Sequence, residues 1–132
     1  MLEEEELYNK KTLKLKKLEL KNTKTGEIKL INHYHMTDWP DGDAPTKKSK
    51  KSLNYLIDTF LSSISEGSVP LVHCSAGVGR TGTFIALCII RLLINNNQSI
   101  SIFNEVRKLR EQRWGMVHTL SQYEYLYDFA EK

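Results

Sequence analysis

At 132 residues the chain holds enough material for one domain with a single buried core. Apolar residues make up 40% and charged residues 27%, the balance of a folded domain rather than a disordered one. A net charge of +3, carried by short lysine clusters without interleaved aromatics, argues against a nucleic-acid partner.

In chain order, residues 1–11 read as an acidic lead-in, with Glu3 to Glu6 standing where a signal peptide would carry apolar residues. From Thr12 to Lys21 leucine and lysine alternate as in a half-buried strand. The alternation slips between Leu15 and Leu18, which predicts a bulge near Lys16 and Lys17. Asn22 to Glu27 forms a turn around Gly26, and Ile28 to His35 reads as the second strand of a hairpin. Two prolines and a glycine make Asp38 to Pro45 a loop. A helix is predicted over Ser49 to Ser65, where Leu53, Leu56, Ile57, Phe60, Leu61 and Ile64 share one face. Val69 to Cys74, apolar without alternation, reads as a fully buried parallel strand. A glycine-rich turn then enters an apolar helix, Thr81 to Ile94, broken by three asparagines. Amphipathic helices over Ser101 to Arg113 and Thr119 to Glu131 close the chain. The expected fold is α/β, a mixed central sheet flanked by helices, and residues 12–132 form one domain.

No segment is apolar for long enough to insert in a membrane; the longest candidate, Phe84 to Ile90, is far too short. Cys74 and Cys88 fit neither a zinc pattern nor a disulfide framework, so no metal is expected and a reducing, cytoplasmic setting is.

The chemistry concentrates in His73-Cys74-Ser75-Ala76-Gly77-Val78-Gly79-Arg80-Thr81-Gly82. Residues of this kind in this register arise by chance about once in ten million segments. A strand that ends at Cys74 and a helix that starts near Arg80 let the intervening backbone N–H groups curl around one oxyanion. Gly77 and Gly79 are the positions free to adopt the dihedrals of such a nest. The helix dipole and Arg80 favour negative charge at its centre, and the same field stabilises a thiolate on Cys74. Arginine suits the role better than lysine, because its fork holds two phosphate oxygens at once.

This segment resembles the signature loop of the protein tyrosine phosphatases, and within them the phosphotyrosine-specific branch. Ala76 and Val78 stand where phosphoinositide phosphatases often carry lysines. The resemblance implies hydrolysis of phosphotyrosine in proteins through a cysteinyl-phosphate on Cys74, without metal or organic cofactor. It implies phosphate binding by the backbone of Ser75, Ala76, Gly77, Val78 and Gly79 together with Arg80. His73 would support the thiolate and the Thr81 hydroxyl would ease its departure.

A phenol leaves poorly as an anion, so a positioned acid is needed, a contribution of typically 10²–10⁴-fold. Trp39-Pro40-Asp41 resembles the family's mobile acid loop, which makes Asp41 the acid and then the base, with Trp39 as anchor and Pro40 as stiffener. Arg110 and Arg113 match the family's Arg-x-x-Arg spacing and would buttress the site. Gln122 matches a glutamine that positions the hydrolytic water; Thr119-x-x-Gln122 also fits a helix capping box. His118 stands where the family's first glutamine is found, a departure that implies slower hydrolysis of the phosphoenzyme.

The resemblance runs from about Thr12 to the end, whereas the family's domain is longer on its N-terminal side. A fragment and a minimal form both fit. The bared sheet edge and apolar helix face of such a short form imply self-association. A phosphotyrosine-binding pseudophosphatase and a dual-specificity phosphatase stay open beside the leading reading.

Overall fold

The computed structural model describes residues 12–132 and the backbone of residues 3–7. Three antiparallel strands, β1 (Glu3–Leu7), β2 (Leu13–Lys21) and β3 (Ile28–Met36), form a sheet in the order β1-β2-β3. Four helices follow: α1 (Lys50–Ser65, after a single 3-10 turn at Lys47–Ser49), α2 (Gly79–Asn95), α3 (Ile102–Gln112) and α4 (Leu120–Ala130). The class is α/β, and α2 is the central element, packed against α1, α3 and α4.

The apolar stripe of each helix explains this arrangement. Phe84, Ala86, Leu87, Cys88 and Ile90 of α2 are all buried, and they meet Leu53 and Ile57 of α1, Val106 and Leu109 of α3, and Leu126 of α4. The rings of Phe60 and Phe84 meet edge to face, with centroids 5.4 Å apart. At the polar rim Arg91 ties three helices together. It donates to Asp58 and Asn54 of α1 and lies over the ring of Phe129 on α4.

Several sequence expectations change here. The acidic run is not simply a lead-in, because Glu3–Leu7 pairs with β2, its register setting Glu4 opposite Lys16 and Glu6 opposite Lys14. Residues 1–2 and 8–11 of the expected lead-in lie outside the described residues. The bulge is absent: β2 and β3 pair without interruption from Leu13 with Met36 to Lys21 with Ile28. The leucine pattern slips because the hairpin leaves the core. Leu13 is fully buried, whereas Leu20 near the far end is mostly in solvent.

The described sheet is also purely antiparallel, not mixed, and the expected strand at Val69–Cys74 is not paired into it. Its burial alternates instead. Pro70, Val72 and Cys74 are half-buried, while Val69 and Leu71 are 96% and 88% exposed. An apolar run predicts two buried faces only where a neighbour covers each of them, and here one face is open.

Candidate active site

Cys74 ends this segment and the loop turns at once. Gly77 adopts φ +72°, a left-handed conformation that costs glycine little, and its N–H donates to Cys74 Sγ at 3.3 Å. Gly79 does not share that conformation; it already opens α2. It lies close to the α4 cap: a Cβ there would come within 3.2 Å of Gln122 Nε2, a tight approach that the carboxamide would have to yield to. Gly82 is tighter still: a Cβ would stand 2.5 Å from the Val117 backbone nitrogen.

Two effects oppose each other at Cys74. Burial pushes its thiol up, but the Thr81 hydroxyl and the N–H groups of Thr81, Gly77 and Val78 outweigh it and bring the value down to about 7. The Thr81 hydroxyl is buried with no partner among the described residues, which leaves it free to turn to the sulfur. Burial pushes the Cys88 thiol up to about 12, with Arg91 and Asp58 acting on it in opposite directions. The sequence contains two cysteines, and the fold lowers the thiol of one and raises that of the other.

Arg80, in the first turn of α2, points towards the acid loop. Its Nη1 donates to the Trp39 carbonyl at 3.3 Å and its Nη2 lies 3.2 Å from Asp41 Oδ1. Its Nε is buried with no partner among the described residues, a donor available to an anion. Trp39 is buried in the core, and its indole N–H donates to the Asp43 carbonyl at 2.8 Å, which folds the acid loop back on itself. Pro40 and Asp41 sit exposed at the tip.

The arginines at the end of α3 divide the support between two loops. Arg110 donates from Nε to the Met116 carbonyl and from Nη2 to that of Val117. Arg113 has left the helix, with φ −148° and ψ 121°, and reaches the phosphate loop from outside. Its Nε donates to the Gly77 carbonyl at 3.0 Å and its Nη2 to that of Ala76 at 3.3 Å.

Gln122 is fully buried. Its Oε1 accepts from the backbone N–H groups of His118 and Thr119, completing a capping box at the start of α4. That orientation turns Nε2 towards the Asp43 carbonyl, 3.3 Å away and 79 positions distant in sequence. The carboxamide therefore joins α4 to the acid loop, and in this conformation it does not face solvent, as a water-positioning group would. His118 is exposed beside Gly79. His73 also departs from expectation. Its ring is exposed, bonds the Cys74 carbonyl rather than the sulfur, and stacks on His33 with centroids 6.3 Å apart.

Three features escape a reading of the sequence. The Asp43 carbonyl serves two donors. The Val78 carbonyl likewise accepts from both Gly82 and Val117. Val117 itself is fully buried at φ +59°, a strained conformation for a β-branched residue, and nothing in its local sequence signals it.

A thiol among inward backbone N–H groups, in a loop that runs into an arginine bonded to a carboxylate, is equipped to attack and bind a tetrahedral oxyanion. Residues 2–132 match the family described as protein-tyrosine phosphatase, and the chain belongs to that family. It is 37% identical over 131 residues to tyrosine-protein phosphatase 99A of Drosophila melanogaster, covering 97% of this chain and 10% of that protein. It is 37% identical over 108 residues to tyrosine-protein phosphatase non-receptor type 20 of Mus musculus, covering 80% of this chain and 24% of that one. A solved structure of PTPN18 superposes with a TM-score of 0.81 at 28% identity, over 98% of this chain and 45% of that one. A second, of PTPN18 in complex with HER2-pY1196 phosphopeptides, gives 0.80 at 27%, over 98% and 44%. The chain thus spans a quarter or less of these relatives' length and under half of the solved chains. No described helix is long and apolar enough to cross a membrane.

Proposed function

We propose that this chain hydrolyses phosphotyrosine in proteins through a cysteinyl-phosphate intermediate. One observation carries the reading: the Cys74 thiol, lowered to about 7 by inward N–H groups and Thr81, faces a loop flanked by an arginine with a free buried donor. In the first step Cys74 Sγ attacks phosphorus and the bond to the tyrosine oxygen breaks. Arg80 and the N–H groups of residues 75–79 hold the phosphoryl oxygens, and Asp41 gives its proton to the departing phenolate. In the second, a water oxygen attacks phosphorus, the S–P bond breaks, and Asp41 takes the water's proton while Thr81 receives the thiolate in a hydrogen bond. His118, exposed beside Gly79, is the side chain left to orient that water.

The partners of this reading are phosphotyrosine-bearing proteins, the site is cytoplasmic, and the role is signalling by dephosphorylation. Exposed Val69 and Leu71, with Leu30 of β3, supply an apolar surface through which copies would associate. The buried Gln122 carboxamide favours a second reading, a phosphotyrosine-binding domain that turns over weakly because its phosphoenzyme is slow to break down.

Release of phosphate from a phosphotyrosine peptide, with Cys74→Ser and Asp41→Ala as controls, tests both. Turnover lost in Cys74→Ser and sharply slowed in Asp41→Ala supports the enzyme. Stoichiometric phosphorylation of Cys74 without turnover supports the second reading, and neither labelling nor turnover by the folded chain rejects both.

A further inference from the structure

The Arg113 guanidinium bonds the loop by its backbone, at the carbonyl oxygens of Ala76 and Gly77. Each carbonyl belongs to a peptide unit whose N–H is the next residue's. The Ala76 carbonyl shares its unit with the Gly77 N–H, and the Gly77 carbonyl with that of Val78. These two N–H groups are among those turned on the sulfur: that of Gly77 donates to Sγ at 3.3 Å, and both hold the thiol down. A cation on the oxygen of a peptide unit draws electron density away from its nitrogen, so the N–H at the other end becomes a stronger donor.

We infer that Arg113 is a positioning residue for the nucleophile, promoting the Cys74 thiolate through two consecutive peptide units. The fork makes this possible, since one planar guanidinium spans two successive carbonyls and a single ammonium does not. Glycine at position 77 contributes as well, because its left-handed turn directs its N–H inward and its carbonyl outward. The inference deepens the proposed reaction and rests on Cys74 being its nucleophile. Its test does not require turnover.

The rate of alkylation of Cys74 by iodoacetamide, followed against pH, reports the thiolate directly; buried Cys88, pushed up to about 12, stays silent. Arg113→Met is expected to move the midpoint upward by roughly half a unit to one unit, as two weakened charge-assisted bonds imply, with an unchanged plateau at high pH. Arg113→Lys restores only a fraction of the shift. Arg110→Met removes a like charge whose guanidinium bonds the Met116 and Val117 carbonyls instead, and is expected to leave the midpoint in place. Thermal unfolding confirms that each variant is folded before it is titrated.

An Arg113→Met midpoint equal to wild type would overturn the inference, as would an equal shift in Arg110→Met. Full restoration by Arg113→Lys would overturn it too, because a charge acting through space needs no fork. Should the wild type prove to lack phosphatase activity, the proposed function fails while the alkylation profiles still decide this point.

Discussion

Asp41 and Arg80 are bonded to each other: the carboxylate oxygen Oδ1 lies 3.2 Å from Nη2 of the guanidinium. In the proposed reaction these side chains have separate tasks, one on the leaving oxygen and one on the phosphate. Without substrate they neutralise each other. The bond is largely open to water on the Asp41 side, so it is weak and easily exchanged for a phosphate dianion.

Asp41→Asn removes that competition while leaving the acid loop its shape. The expected result is tighter binding of phosphate and vanadate, measured calorimetrically, together with a 10²–10⁴-fold loss of phosphotyrosine turnover. Weakened anion binding in the variant would show that Asp41 supports the Arg80 geometry instead of occupying it.

Only one of the two thiols is expected to react near neutrality. Alkylation requires the thiolate, so its rate should fall as pH drops through about 7 and level off above it. The same displacement has a consequence for folding. Because the folded value lies below that of the free thiol, the contribution of Cys74 to stability is present above the free-thiol range and is lost as pH falls through about 7. Intact-mass analysis after limited alkylation at pH 7.5 should show one adduct, at Cys74.

Gln122→Glu separates two functions of one side chain. A carboxylate still accepts from the N–H groups of His118 and Thr119, so the cap on α4 survives. It cannot donate to the Asp43 carbonyl, which loses one of its two donors. The acid loop should loosen, read as faster hydrogen exchange at residues 41–44 at pH 8 with α4 still protected. Catalysis should then depend more steeply on the leaving group, with phosphotyrosine slowed more than 2,4-dinitrophenyl phosphate.

His33, on β3, has its proton affinity lowered first by burial and then by His35, His73 and Lys16, which all face it. The unfolded chain therefore takes up a proton that the folded chain refuses, and stability is lost as pH falls through the ordinary histidine range near 6.5. The urea midpoint should drop between pH 7.5 and 5.5, and should drop less in His33→Gln.

How far the sequence foretells this molecule depends on the distance over which each feature is determined. The phosphate loop and α2 are local: glycines, Cys74 and Arg80 at fixed spacing leave little freedom. The cap on α4 is local too, and Thr119 and Gln122 announce it within four residues. The Val69–Cys74 segment misleads because a strand needs a neighbour, and no residue within the segment says whether one is present. Gln122 shows both cases. Its cap is legible and its bond to the Asp43 carbonyl is not, since that partner lies 79 positions upstream.

Gly82 brings the backbone of α2 directly against Met116 and Val117, with no side chain between them, and the Val117 N–H bonds the Val78 carbonyl. Contact of this kind leaves little room for one loop to shift without the other, which ties the phosphate loop to the segment that carries His118. Asp41 hangs from side-chain bonds that can break singly. The floor of the site is thus bonded backbone to backbone, whereas the segment that carries Asp41 is held to the rest of the site through side chains.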